Sequence, residues 1–313
     1  MRKINGLKDG LELFRTLGSE IRMQIISLLS EQKEMSIGEI SAALKVTQGA
    51  LTSHIRKLEQ QGLISVDTRH TDRGLQKICS LKEHEILLNI YPSVEESMAK
   101  VYETEVAIGH YTDYSVRKGC GLVTAAGLLG SMDDPRVFSY PKRLDAQMFW
   151  LHDGYVEYRI PNLLPDHHQI VQLTLSLEMS CSEQGSEQDI FSDIDYYLNG
   201  RKIGSWLAST ENRGTTRGIY NPVWKVSPLR QHGFLKMLVI NGAGVFIDGV
   251  KVMTTGADWP FLDENGEMRF RIETHTSPEH TGGVALYGSR FGNYNQDLQA
   301  IVHYMPEDQT IPV

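Results

Sequence analysis

The chain is poor in cysteine, with three among 313 residues: Cys79, Cys120 and Cys181. An odd number, spread this widely, excludes a fully paired disulfide framework and fits a reducing compartment. There is no uninterrupted apolar run of membrane-spanning length, so no membrane partner is expected. The opening MRKINGLKDG lacks the apolar centre of an export signal, and the expected location is the cytoplasm. Aromatic residues are missing from the first 90 positions except for Phe14; all 4 Trp and all 13 Tyr come later. A basic excess is missing too, since the formal net charge is −8.

That charge is unevenly divided. Residues 1–85 carry 13 Lys and Arg against 11 Asp and Glu, and residues 86–313 carry 18 against 28. Phosphate would be repelled by most of the chain, so any nucleic-acid contact belongs to the first part. Small aliphatic residues dominate that part, whereas Tyr, Trp, Val and Ile punctuated by Gly, Asn and Asp dominate the rest. The two composition shifts mark a domain boundary.

In the first part Leu7, Leu11, Phe14 and Leu17 are spaced along one helical face, ended by Gly18. Ser19 opens a second helix with Ile21, Ile25, Leu28 and Leu29. Ser36 with Glu39 forms the pattern of a capping box before Ile37, Ile40, Ala43 and Leu44. Thr47 is placed to cap a fourth helix, Gln48–Gln61, with Leu51, Ile55 and Leu58 as its buried stripe and Gly62 as its stop. Two extended runs follow, Leu63–Thr68 and Gln76–Leu81, linked by RHTDRG. Short helix, turn, longer helix and hairpin is the order of a winged helix-turn-helix.

On FRTLGSEIRMQIISLL (Phe14–Leu29) and VTQGALTSHIRKLEQQGLI (Val46–Ile64), this segment resembles the ArsR/SmtB family of bacterial repressors. The family's T/S-x-H-L-x-x-L-x-x-x-G-L run appears as Thr52, His54, Ile55, Leu58, Gly62 and Leu63. The stripe of the fourth helix turns Gln48, Gly49, Thr52, Ser53 and Arg56 outward. Gln and Arg suit paired bonds to base edges, hydroxyls suit phosphates or bases, and Gly49 permits close approach. His54 and Lys57 are expected at phosphates, and Arg69, His70 and Arg73 at the wing tip near the backbone or a minor groove.

Metal sensing is not expected. The third-helix stretch EMSIGEIS has no cysteine, and the segment after the wing has no ligand pair at helical spacing. Ile86, Leu87, Ile90, Val94, Met98, Val101 and Ile108 read as a linking helix over 86–108, broken at Pro92. The resemblance implies that helices one and five pair across a twofold, giving a homodimer on a palindromic double-stranded DNA operator.

From about Gly109 the pattern becomes short alternating runs separated by Asn-Gly and Asp-Gly turns, as in LNGRKIG and IDGVKVM. The expected class is therefore α+β with two domains: a winged helix-turn-helix (1–85), the linking and dimerisation helix (86–108) and an antiparallel β-sandwich (109–313). On DIDYYLNGRKIGSW, TRGIYNPVW and GSRFGNYNQD the whole chain resembles an ArsR-type subgroup fused to such a sandwich. That resemblance implies a small-molecule effector and control of carbohydrate use. Trp and Tyr interleaved with Asn, Asp and Arg are suited to stacking on and bonding a sugar. Arg213, Arg217, Tyr220 and Trp224, in the long polar stretch 210–224, are the leading effector candidates, with Trp206 and Asn199.

No cofactor is expected. The reading is a DNA-binding transcription regulator, a repressor by family habit, and not an enzyme. Two alternatives stand beside it. One is a glycosidase or lyase-like sandwich with a DNA-binding head, for which Glu157, Asp193, Asp195 and Glu273 are the candidate carboxylates. The other is a sandwich used only for oligomerisation.

Overall fold

The computed structural model describes residues 2–5, 10–71, 74–82, 86–89, 99–182, 190–210, 218–221, 232–256 and 259–309. The chain divides into two compact units, Met1–Ser97 and Met98–Val313. Among the described residues no helix is long and apolar enough to cross a membrane.

The first unit runs β1 (Arg2–Asn5), α1 (Leu11–Leu17), α2 (Glu20–Gln32), β2 (Glu34–Ser36), α3 (Ile37–Leu44), α4 (Gln48–Gln60), β3 (Ile64–Thr71), β4 (Gly74–Leu81) and β5 (Ile86–Asn89). Ile25, Leu29, Ile40, Leu51, Ile55, Leu58 and Cys79 form its core. Burying each large aliphatic contributes roughly 1.5–3 kcal/mol. Two of the three expected N-caps form, whereas Ser19 stands before α2 with no side-chain cap hydrogen bond. Ser36 and Glu39 close a capping box, and the Thr47 hydroxyl accepts from the Ala50 amide at 3.3 Å. Gly62 follows α4 at φ +69°, a left-handed position that ends a helix. Buried Arg22 donates to the Thr16 carbonyl and, at 2.9 Å, to that of Arg15, serving the last turn of α1. Strands β2, β4 and β3 form an antiparallel sheet in that order, and β1 pairs with β5 in parallel.

The linking helix expected over 86–108 is corrected. Ile86–Asn89 is a strand, residues 90–98 lie outside the described residues, and Lys100–Val106 is a strand followed by a 3-10 turn at Ile108–His110. Its pairing partner is more than 190 positions away in the chain, and that long-range ladder outweighs local helical spacing.

The second unit begins with that strand, β6 (Lys100–Val106). Next come β7 (Asp113–Val116), β8 (Gly121–Thr124), β9 (Gly127–Leu128), β10 (Ala146–Leu151), β11 (Gly154–Ile160) and β12 (His168–Ser182). The remainder are β13 (Phe191–Leu198), β14 (Arg201–Ser209), β15 (Phe234–Asn241), β16 (Gly244–Ile247), β17 (Val250–Met253), β18 (Met268–Thr274), β19 (Gly283–Tyr287) and β20 (Leu298–Pro306).

Among the described residues these make a ten-stranded sheet, β17-β16-β15-β12-β19-β10-β8-β9 with β20 joining β12 to β6, and a five-stranded sheet, β14-β13-β18-β11-β7. All pairs are antiparallel. Leu173, Leu175 and Leu286 of the larger sheet and Val156, Tyr196 and Ile272 of the smaller share one core, as in a sandwich. The Asn199-Gly200 and Asp248-Gly249 tips turn with positive φ at both residues, the conformation that two-residue hairpins require.

Candidate nucleic-acid interface

Helix α4 presents two faces. Leu51, Ile55 and Leu58 are buried, while Gln48, Gly49, Thr52, Ser53, Arg56 and Lys57 are exposed, as the spacing predicts. The Thr52 hydroxyl donates to the Gln48 carbonyl at 2.9 Å and that of Ser53 to Ala50 at 3.2 Å. Both keep their lone pairs for an external donor. A Cβ built on Gly49 would meet no atom within 4 Å, so an alanine there fits the free protein. The first turn carries no acidic residue, which favours an approaching phosphate.

His54 differs from its neighbours. It is half-buried, and its Nδ1 is enclosed with no hydrogen-bond partner among the described residues. Burial first, then the charges of Arg22 and Lys57, hold its pKa below the ordinary value. That direction favours the neutral imidazole.

The wing is longer than the RHTDRG link implies. Strand β3 continues to Thr71 and β4 starts at Gly74, so Arg69 and His70 lie within a strand, not at the tip. The Arg69 guanidinium is already engaged, forked on Glu34 with Asp67 3.7 Å away. The side chain of His70, and Arg73 altogether, fall outside the described residues.

Of the effector candidates, the described residues include Tyr220, Trp206 and Asn199. Arg213, Arg217 and Trp224 fall outside the described residues. The Tyr220 amide donates to the Gly292 carbonyl at 3.0 Å. Trp206 faces inward with Lys236 Nζ 3.8 Å over its ring. Asn199 is committed to structure: its amide donates to the Phe261 carbonyl at 2.9 Å and accepts from the Arg269 amide at 2.8 Å. Among the carboxylates, Asp195 and Glu273 stand directly opposite on paired strands, whereas Glu157 stands opposite Arg271.

Sequence reading missed Glu178. It is fully buried, and its carboxylate accepts from the amides of Gly233 at 2.7 Å, Asn293 at 2.9 and 3.0 Å and Tyr294 at 2.9 Å. The only trace in the sequence is one charge inside the apolar run QIVQLTLSLEMS. The loop it holds is bonded in turn to the segment containing Tyr220, through Gly292 N to Asn221 Oδ1 at 2.6 Å and Ile219 N to Asn293 Oδ1 at 3.2 Å.

Comparison with known proteins places a family in the first unit. Residues 19–66 match the family described as "Bacterial regulatory protein, arsR family". The chain is 36% identical over 53 residues to "Transcriptional activator HlyU" of Vibrio cholerae serotype O1, which is 17% of this chain and 48% of the relative. It therefore spans about half the length of that curated relative. Among solved structures, "Reduced HlyU from Vibrio cholerae N16961" is 31% identical at a TM-score of 0.21, covering 24% of this chain and 74% of its own. "The structure of CBM51 from Clostridium perfringens GH95 in complex with methyl-galactose" is 10% identical at a TM-score of 0.27, covering 64% of this chain and 99% of its own. The N-terminal unit contains an arsR-family helix-turn-helix domain.

Proposed function

We propose that this chain, with its arsR-family helix-turn-helix, is a DNA-binding transcription regulator that acts as a cytoplasmic homodimer, and that its β-sandwich senses a small molecule, a carbohydrate. The observation that carries the first half is α4: a buried apolar stripe, capped by Thr47, backs an exposed row of Gln48, Thr52, Ser53, Arg56 and Lys57 free of acid in its first turn. That is the chemistry of a helix read against a major groove. Contacts from Gly49, His54, His70 and Arg73 belong to this reading as well. The effector reading rests on the aromatic and polar composition of the second unit, and no catalytic role is assigned to it.

Two heads spaced one helical turn apart, about 34 Å, would engage a palindromic operator. A bound sugar that favours another spacing would release it, by no more than its differential affinity for the two states. Repression is what the family resemblance implies, and the relative named an activator makes the sign of regulation a matter for a reporter assay.

In vitro selection from random double-stranded DNA with the full chain tests the first half. The expected result is a palindromic site, bound more weakly by Arg56→Ala. Binding no tighter than to bulk DNA at physiological salt would overturn it.

A further inference from the structure

The outward face of the five-stranded sheet carries polar side chains that the operator reading does not use. Strand registers set Tyr197, Arg271, Glu157 and Asp113 side by side in one row. Asp195, Glu273 and Tyr155 stand side by side in the next. The alternating residues Tyr196, Ile272 and Val156 are fully buried between the sheets, so both rows face away from the core.

Two relationships within these rows oppose stability. Asp195 is directly opposite Glu273, and Glu157 is directly opposite Asp113. Like charges so placed destabilise an antiparallel pair. Three of the four are also withdrawn from water: the side chains of Glu157, Glu273 and Asp195 are only 7, 16 and 17% exposed. A fold selected for stability alone would not hold four carboxylates this way, and local rules are broken where a site requires it.

The neighbouring groups offset only part of that charge. Arg271 donates from Nε to Glu157 at 3.0 Å and lies 3.9 Å from Glu273, whose Oε1 is 2.8 Å from His275 Nε2, and Lys202 bonds Asp195 at 2.7 Å. The Arg271 guanidinium also rests 3.9 Å over the Tyr155 ring, whose hydroxyl donates to Asp113 at 3.0 Å. Arg271 and Tyr155 are thereby fixed in place before any ligand arrives. A carboxylate only accepts, and its two oxygens have room for about four hydrogen bonds. The face thus offers a surplus of acceptors beside two tyrosine rings, over three strand-to-strand steps or about 14 Å. A molecule with many hydroxyl donors and an apolar ring face is the complement.

We propose that this sheet face is the saccharide platform of the chain, with Tyr197, Tyr155, Asp195 and Glu273 as its contacts. It takes neutral sugars and rejects uronates and sugar phosphates, because four carboxylates outnumber the basic groups Arg271, Lys202 and His275. This rests on the saccharide reading above, and it assigns the ligand contacts to residues other than those of the 210–224 stretch.

The test uses the full chain in thermal-shift and calorimetric titrations. Galactose, lactose, cellobiose and maltotriose are the neutral probes, with glucuronate and glucose 6-phosphate as anionic ones. Glu273→Gln preserves shape and relieves the contact with Asp195, so its unliganded Tm should equal or exceed that of the wild type. A neutral probe is expected to raise the wild-type Tm in a concentration-dependent way. Glu273→Gln and Tyr197→Ala should weaken its binding about tenfold or more. Undiminished binding by both variants would overturn the platform and leave the saccharide reading standing. Anionic probes binding as tightly as neutral ones would overturn the charge selection. If no probe binds the wild type, the saccharide reading itself falls, and the platform with it.

Discussion

Glu34 holds the Arg69 guanidinium in a fork, Oε2 2.7 Å from Nη1 and Oε1 2.9 Å from Nη2. The pair ties the short strand before α3 to the first strand of the wing. Hydrogen bonding and charge together lower the Glu34 pKa and raise that of Arg69. An arginine so occupied must first break a bidentate contact to serve a phosphate, whereas Arg56 and Lys57 on α4 stand free of any such pair among the described residues.

Arg69 is therefore expected to contribute little to operator binding. In fluorescence anisotropy at fixed salt, Arg69→Ala should change affinity by no more than about twofold, and Arg56→Ala should weaken it about tenfold or more. Lys57→Ala should lower affinity evenly across sequences and reduce the slope of log K against log salt by about 1. An Arg69→Ala loss as large as that of Arg56→Ala would show that the fork opens on DNA.

His54 should make the protein less stable in mild acid. Its pKa is lowered in the folded state, so the unfolded chain takes up a proton first as pH falls below the ordinary value of about 6.5. The folded state loses stability from there down to the folded pKa, and above 6.5 the penalty is absent. Melting curves between pH 5 and 7.5 should therefore show a smaller acid drop for His54→Gln than for the wild type. Parallel curves would remove His54 from the account.

The three thiols should be inert in the native protein. All are buried, and burial raises Cys79 to about 11 and Cys120 to about 12. Alkylation by iodoacetamide near pH 8 requires thiolate. Mass spectrometry should find no labelled cysteine without denaturant and three with it. Rapid native labelling of any one would contradict the burial described here.

Glu178→Gln should destabilise the second unit by about 1–3 kcal/mol, because a carboxamide turns one acceptor into a donor facing backbone amides. Gly292→Ala should do so too, since a Cβ there would collide with the Glu178 carboxylate and the residue sits at φ +79°. Urea titration followed by tryptophan fluorescence is the readout, because all 4 Trp lie in that unit. Unchanged midpoints in both variants would mean that the loop is held by other contacts.

What was legible in the sequence was local. Ser36 with Glu39, Thr47 before α4, and the Asn-Gly and Asp-Gly tips act within a few residues of themselves, and each behaves as its chemistry dictates. The run around Val101 and Ile108 misled because a few apolar residues fit both a helical and an alternating period. Val101 is 46% exposed, whereas Val106 and Ile108 are buried. Asn199 has a side chain suited to a sugar, yet its amide is spent on the Phe261 carbonyl, in a loop, and the Arg269 amide, in β18. The rows around Arg271 were invisible for a related reason. Each strand shows its own polar alternation, but only cross-strand register reveals which carboxylates stand opposite which.

Strand β20 lies between β12 and β6, so the first strand of the second unit is bonded to its last. The Asp297 amide reaches the Glu105 carboxylate, 192 residues earlier, at 2.6 Å. During synthesis the ribosome releases β6 long before its partner exists. The edge of β6 must wait unpaired until β20 emerges, whereas the strand pairings described in the N-terminal unit all fall within residues 2–89 and can close while translation continues.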